Sequence, residues 1–340
     1  MNDLSTIVSQ DALQALAILV MLIPFAVTLA LANLSVRMPS LRWLAYAMLT
    51  MLSGGFLLIG ILAFGMAWIS LLSGPTGLEW GLTPNWDLLG AWGLATGFGA
   101  LLALTPPVRS VAGRLLTAFD PSNPVHAVSL GFAVFLVGLT ATQLVMLGDL
   151  EHLADAGVAV GPMQIWAQGI GLTAIGLIGI GLWTRRSWTD VVARLGLARL
   201  SRRTWLISAA FIALFMAIDF VWMQVWHRFD PEGMETISRV SGALFARMLN
   251  LPGALTIGIT AAVSEEIVYR GALQPRFGLL PTAALFAISH VQYGLSPAVV
   301  EIFVIGLVLG LIRRRYDLTT CILIHFGYNT LNLLLLPPGQ

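Results

Sequence analysis

The side chains able to do chemistry crowd into three short stretches of the last third of the chain. TAAVSEEIVYRGAL carries Glu265, Glu266 and Arg270, LFAISHVQYG carries His290, and ILIHFGYNTLN carries His325, Asn329 and Asn332. Glu266 and Arg270 are four residues apart and can pair on one helix face, whereas Glu265 is rotated by about 100° and is free for another partner. His325 and Asn329 stand in the same four-residue relation, as do Phe286 and His290, so each pair projects from one face. A carboxylate, two imidazoles and a carboxamide are the parts of a hydrolytic centre. Glu265 accepts a proton from water with help from His290, while His325 and Asn329 offer N–H donors to the oxyanion that forms when water adds to a carbonyl. The competing reading is a structural polar network that ties helices together.

The surroundings of these stretches are apolar. The chain has 340 residues, of which 57% are hydrophobic and only 10% charged, with a mean hydropathy of +0.85, which is the composition of an integral membrane protein. Apolar runs stand at Leu13–Ala32, Leu44–Leu72, Leu88–Leu104, His126–Leu147, Met163–Trp183, Trp205–Val225, Ala254–Tyr269, Pro281–Val291, Pro297–Ile312 and Leu318–Leu336. Open sheet facing lipid would leave backbone N–H and C=O groups unpaired, and no period-two alternation suggests a barrel, so the runs are helices. The expected fold is all-α, a polytopic membrane helix bundle of about ten transmembrane helices, the eighth run being short for a full crossing. The N-terminus, with Asp3 and Asp11 and no Arg before Arg37, lacks the positive start of a cleavable signal, so the first run reads as a retained span.

Charge between the runs gives the expected orientation. Arg37 and Arg42 follow the first run, Arg109 and Arg114 the third, and Arg185, Arg186, Arg194, Arg199, Arg202 and Arg203 the fifth. Arg270 and Arg276 follow the seventh, and Arg313, Arg314 and Arg315 the ninth. The alternate connections carry Glu79 and Asp87, then Asp149, Glu151 and Asp155, then a balanced stretch from Arg228 to Arg247, then no charge around Gly294. The positive-inside rule therefore makes the odd loops cytoplasmic and places both termini outside, in a multi-pass protein of a prokaryotic inner membrane. Trp43, Trp183 and Trp205 fall at the inner ends and Trp68, Trp166, Trp222 and Trp226 at the outer ones. At a rise of ~1.5 Å per residue, Glu265 lies roughly 8 Å back from Arg270, His290 roughly 14 Å in from Pro281 and His325 roughly 11 Å in from Leu318. All three fall in the cytoplasmic half, so they can share one buried site that opens inward.

Two stretches read as surface helices. DVVARLGLARLSRR, within Thr189–Arg203, sets apolar residues on one side among arginines, which suits an anionic inner leaflet. Over Pro231–Leu249, Ile237, Val240, Leu244 and Met248 share a face. The organisation expected is an accessory bundle of about five spans over 1–187, a basic amphipathic linker over 188–204, and a membrane core over 205–340 that holds most of the intramembrane polarity. Gly169, Gly171 and Ala174 spell GxGxxA inside a span with no strand before it, so close helix packing is the reading. Gly306 and Gly310 read as packing against the motif helices, Asp219 and Glu301 as interhelical hydrogen-bonding acids, and His126 and His227 as interfacial. His152, among the acids from Asp149 to Asp155, reads as part of a solvated loop.

The three chemical stretches also carry recognisable motifs. EEIVYR matches the pattern EExxxR, FAISH matches FxxxH and HFGYN matches HxxxN, in that order. The set resembles the CPBP family of intramembrane proteases, also called the CAAX protease or Abi family, which includes the type II CAAX prenyl endopeptidases. GLVLGLIRRRYDLTTCILIHFGYNTLN is similar to the family's passage from a Gly-spaced helix through a basic turn into the last motif. The resemblance covers Trp205 to Leu336, and no motif position departs from the pattern. It implies that Glu265 and His290 activate the attacking water and that His325 and Asn329 form an oxyanion hole, with Glu266, Arg270 and Phe286 in support. Many members of the family are labelled metalloproteases, and two His with a Glu could hold zinc. The chain lacks HExxH, so the expectation is catalysis without a cofactor or metal, with zinc as the alternative.

The function expected is an intramembrane endopeptidase cleaving a peptide or protein, membrane-anchored or prenylated substrates included, near the cytoplasmic leaflet of the lipid bilayer. Two further readings remain open. A non-catalytic scaffold or immunity protein would keep its function when Glu265 or His290 becomes Ala. A transporter would show a repeat relating two halves, and none is visible. Other chemistry is excluded by composition: the net charge is +1 with no basic patch for nucleic acid, all eighteen basic residues are Arg, which removes a Lys nucleophile, and Cys321 has no internal disulfide partner.

Overall fold

The computed structural model describes residues 4–74, 84–116, 118–147 and 159–335. In chain order the helices are α1 (Leu4–Leu34), α2 (Arg42–Ser73), α3 (Trp86–Leu102), α4 (Pro106–Leu115), α5 (Pro124–Leu147), α6 (Pro162–Ile180), α7 (Trp188–Leu195), α8 (Arg202–Phe229), α9 (Pro231–Leu244), α10 (Leu251–Phe277), α11 (Leu279–Ile288), α12 (Ala298–Arg315) and α13 (Leu318–Leu335). No strand occurs among the described residues. Local chemistry sets the starts: Asn85, Asp230 and Asn250 cap α3, α9 and α10 by accepting a backbone N–H, and proline fills the first turn of α4, α6, α9 and α10, where a missing N–H is harmless.

Each of the ten expected apolar runs is helical, but fewer are complete crossings than expected. Among the described residues, seven helices are long and apolar enough alone, and eight if α3 and α4, bent by 87°, count as one broken span. α11 has ten residues, about 15 Å of helix against a hydrocarbon core of about 30 Å. α12 has the length, yet Glu301 and the three arginines at its end lower its apolarity. The expected basic surface helix is also shorter. α7 stops at Leu195 because Gly196 adopts a left-handed backbone with φ 61°, and the chain from there to Ser201 is not helical. In α9, Ile237 and Val240 are buried as the pattern predicts, followed by buried Met248 in a short turn. Glu79, Asp149, Glu151, His152 and Asp155 lie outside the described residues.

Polar clamps and small residues set the relative directions of the helices. Asp11 of α1 accepts N–H bonds from Met163 and Gln164 at the start of α6, and Asn33 donates to the carbonyls of Ile178 and Gly179 at its end. One helix therefore satisfies orphan groups at both ends of the other, and α1 and α6 run parallel. Gly169 lies against Thr260 and Gly176 against Ile267, so α6 and α10 also run parallel, with GxGxxA serving close packing. Gly258 lies against Thr330, which makes α13 antiparallel to α10, and Gly310 against Leu279 makes α11 and α12 an antiparallel hairpin. Ile180, Leu182, Val191, Leu195, Ile267, Ala272 and Leu318 form one apolar cluster where α6, α7, α10 and α13 meet.

Candidate active site

α10 is not a regular helix along its length. At Glu266 it widens into a π-helical turn that runs to Leu273, and the Gln274 N–H reaches back five residues to the Tyr269 carbonyl. π turns are rare and concentrate at functional sites. Glu265 closes the regular part and Glu266 opens the wide one, and neighbouring residues so placed address the same imidazole. His325, on α13, donates from Nδ1 to Glu266 Oε1 at 2.8 Å, while its Nε2 stands 3.8 Å from Glu265 Oε2. The spacing argument turned the two glutamates apart. The two opposite nitrogens of one ring bring them back to one partner.

The anchor under this arrangement is buried. Glu266 pairs with Arg270 at 2.9 Å, and the two side chains are 0% and 1% exposed. Arg270 also donates to the Gly306 carbonyl on α12 at 3.3 Å and lies 4.2 Å from the centre of the Phe286 ring. Glycine at 306 permits this approach, because a Cβ there would lie 3.0 Å from Phe286 Cδ1. The GxxxG spacing had suggested packing on the motif helices, and one turn further along the same stripe Gln274 donates to the Gly310 carbonyl at 2.9 Å.

His290 arrives from the other side. α11 ends at Ile288, and His290 occupies a non-helical turn with φ −89° and ψ 61°. Its Nδ1 donates to the Phe286 carbonyl at 2.7 Å, which leaves Nε2 facing Glu265 Oε2 at 4.0 Å. Phe286 packs edge-on against His290, His325 and Tyr269 with ring centres 4.7, 6.0 and 5.2 Å away, so it forms the floor that sets all three rings. Glu265 Oε2 faces both imidazoles yet is buried without a hydrogen-bond partner in the protein.

Six of the seven residues singled out by sequence meet in direct contact: Glu265, Glu266, Arg270, Phe286, His290 and His325. The seventh, Asn329, shares the α13 face one turn beyond His325 and is half-buried. Its carboxamide has no hydrogen-bond partner among the described residues. Asn332 instead donates to Asp219 Oδ2 on α8 at 3.2 Å, an interhelical bond of the kind expected for this acid, which also faces Glu301 of α12. Sequence reasoning missed Tyr293, stacked on His290 at 6.4 Å, and Tyr269. Tyr269 lies inside EExxxR and Tyr293 three residues after FxxxH, but neither position has a spacing signal that separates it from ordinary core. Among the described residues no group of three or more His, Cys, Asp or Glu side chains is arranged to hold a metal ion.

A helix bundle with seven apolar spans and a buried set of acid, imidazole and guanidinium groups is an integral multi-pass membrane protein with a polar site inside it. Residues 247–331 match the family model described as type II CAAX prenyl endopeptidase Rce1-like. The match begins just before α10, ends within α13 and contains all three motifs, so this segment is similar to the domain of the family that those motifs resemble. No curated protein and no solved structure matches the chain.

Proposed function

We propose that the chain is an intramembrane endopeptidase in which Glu265 and His290 activate water and His325 and Asn329 hold the oxyanion. The observation that carries this reading is the position of Glu265 Oε2, unpartnered and about equally far from the Nε2 atoms of His290 and His325 at 4.0 and 3.8 Å. A water seated beside either gap can hydrogen-bond to both flanking groups at once. A water between Glu265 and His290 gives one proton to the carboxylate and hydrogen-bonds with the other to His290 Nε2, whose lone pair is free because Nδ1 is committed to the Phe286 carbonyl. The oxygen so activated adds to the peptide carbonyl. Glu265 then passes its proton to the leaving amine, which restores the carboxylate.

The oxyanion requires donors. Asn329 has an uncommitted NH2 group, and His325 presents Nε2 on the same face of α13. No metal enters this scheme. The arginine-rich loops support a cytoplasmic opening, in a prokaryotic inner membrane, and hence a peptide or protein substrate presented at the inner leaflet, with prenylated chains among the candidates.

The test is quantitative proteomics of chain ends in membrane fractions, comparing cells that carry the intact protein with cells that carry Glu265→Gln at equal abundance. One or more precursors should accumulate in the variant and disappear on return of the intact protein. No Glu265-dependent terminus in any membrane protein, together with full rescue of phenotype by Glu265→Gln, would assign the scaffold role instead.

A further inference from the structure

The C-terminal end of α6 lies in a concentration of positive charge. Its last carbonyls, at the negative end of the helix dipole, attract arginines. Arg276 donates to the Gly179 carbonyl at 2.7 Å and to Ala272 at 2.8 Å, and Arg186 donates to Ile180. Arg37 donates to the Arg185 carbonyl at 2.7 Å, and Arg313, against Gly196, donates to the Arg194 carbonyl at 3.3 Å. Arg185, Arg186 and Arg194 all bear electrostatically on Arg276, and His126, at the start of α5, faces Arg276, Arg185 and Arg194. These arginines come from positions as distant as 37 and 313, and the fold gathers them.

None of the six makes an ion pair among the described residues. Asp190, near Arg186 and Arg37, is held in the capping box of α7 with Ser187, and Asp317 caps α13 through Thr320. Arg276 is only 2% exposed. The Nε atoms of Arg185, Arg194, Arg276 and Arg313 are buried with no acceptor in the protein. Burial and the neighbouring charges of Arg186, Arg194 and Arg37 push the Arg185 guanidinium down to about 10. Carbonyl dipoles supply partial charge only, so a set of half-buried guanidinium groups of one sign is a site for an anion.

The flanking residues indicate which anion. Trp183 and Trp188 are 84% and 56% exposed beside the arginines, and Trp43, at the start of α2, and Trp205, near the start of α8, are 67% and 55% exposed. Exposed tryptophans next to arginines mark the headgroup level of a bilayer. We propose that Arg185 and Arg194, backed by Arg276 and Arg313, bind the phosphate of an anionic lipid headgroup. The phosphate supplies planar-matched acceptors to the guanidinium forks, and basic pockets between helices at the arginine-rich face of a membrane protein take such headgroups. Arg276 stands on α10 six residues beyond Arg270, so an occupied basin braces the far end of the helix that carries both glutamates.

The test uses the purified full chain in neutral detergent, with dioctanoyl phosphatidylglycerol and dioctanoyl phosphatidylcholine as competing probes and retained lipid counted by native mass spectrometry. Wild type should retain phosphatidylglycerol in clear preference. Each arginine near the surface contributes about a fivefold factor, so Arg185→Gln with Arg194→Gln should weaken retention about thirtyfold, while Arg228→Gln, at the exposed far end of α8, should leave it unchanged. Equal retention of the two lipids by wild type, or unaltered preference in the folded double variant, would overturn the proposal. Wild-type measurements alone decide if the double variant does not fold. Displacement of the lipid by inorganic phosphate at matching concentration would assign the basin to a soluble anion and overturn the lipid source.

Discussion

Arg270 is the residue whose loss should be felt most widely. Its partner Glu266 is fully buried at 2.9 Å, so Arg270→Met leaves a carboxylate in a dry interior, and removal of one member of such a pair costs about 3–5 kcal/mol. The same change removes the contact over Phe286, worth up to about 2 kcal/mol in a desolvated setting, and the bond to Gly306, about 1 kcal/mol. The double variant Arg270→Met with Glu266→Gln removes both charges, keeps an amide oxygen for His325 Nδ1, and forfeits mainly the last two contributions. It should therefore be more stable than Arg270→Met alone. A double-mutant cycle should give a coupling of about 2–3 kcal/mol. At about 2 °C per kcal/mol for a chain of this size, the summed loss of about 4–8 kcal/mol should make Arg270→Met melt about 8–16 °C below the intact protein, and the second substitution should restore about 4–6 °C. Intrinsic fluorescence melting of detergent-purified protein reads the order. Strict additivity, with the double variant melting at the summed loss of the two singles, would show that each charge is compensated separately and would refute the buried-pair account.

Three further outcomes follow from the geometry. Asn329→Ala should slow cleavage by about 100- to 1,000-fold through loss of one oxyanion donor while shifting the melting temperature little, because the carboxamide holds no partner among the described residues; a large melting shift would mark a structural Asn. Gly306→Leu should destabilise the protein and reduce cleavage together, since its side chain enters the space of Phe286 Cδ1 and separates Arg270 from its carbonyl acceptor; unchanged activity would remove Phe286 from the positioning of the two histidines. Cleavage of a substrate identified by proteomics should persist in 1,10-phenanthroline, and loss of activity that zinc restores would replace the water-activating glutamate with a zinc centre.

Hydropathy and spacing are local properties of the chain, and what they control was legible in the sequence. Every apolar run became a helix because backbone polar groups in an apolar medium have no other general solution. The four-residue spacing correctly paired Glu266 with Arg270, since neighbours on a helix turn meet whatever surrounds them, while Phe286 meets His290 although His290 lies beyond the end of α11. The motifs located the domain that residues 247–331 match.

Tertiary contacts decided the remainder. The π-helical turn at Glu266–Leu273 brings two consecutive glutamates to His325, and no local pattern encodes it, because a widened turn persists only where contacts such as Arg270 to Gly306 and Gln274 to Gly310 stabilise it. His290 reaches Glu265 because α11 stops short of a full crossing, whereas a continuous helix would follow from its apolar sequence. The arginine basin is the clearest case. Along the chain Arg37, Arg185, Arg194, Arg276 and Arg313 are loop charges that report orientation, and only the folded bundle gathers them, since charge repulsion acts through space and has no period in the sequence.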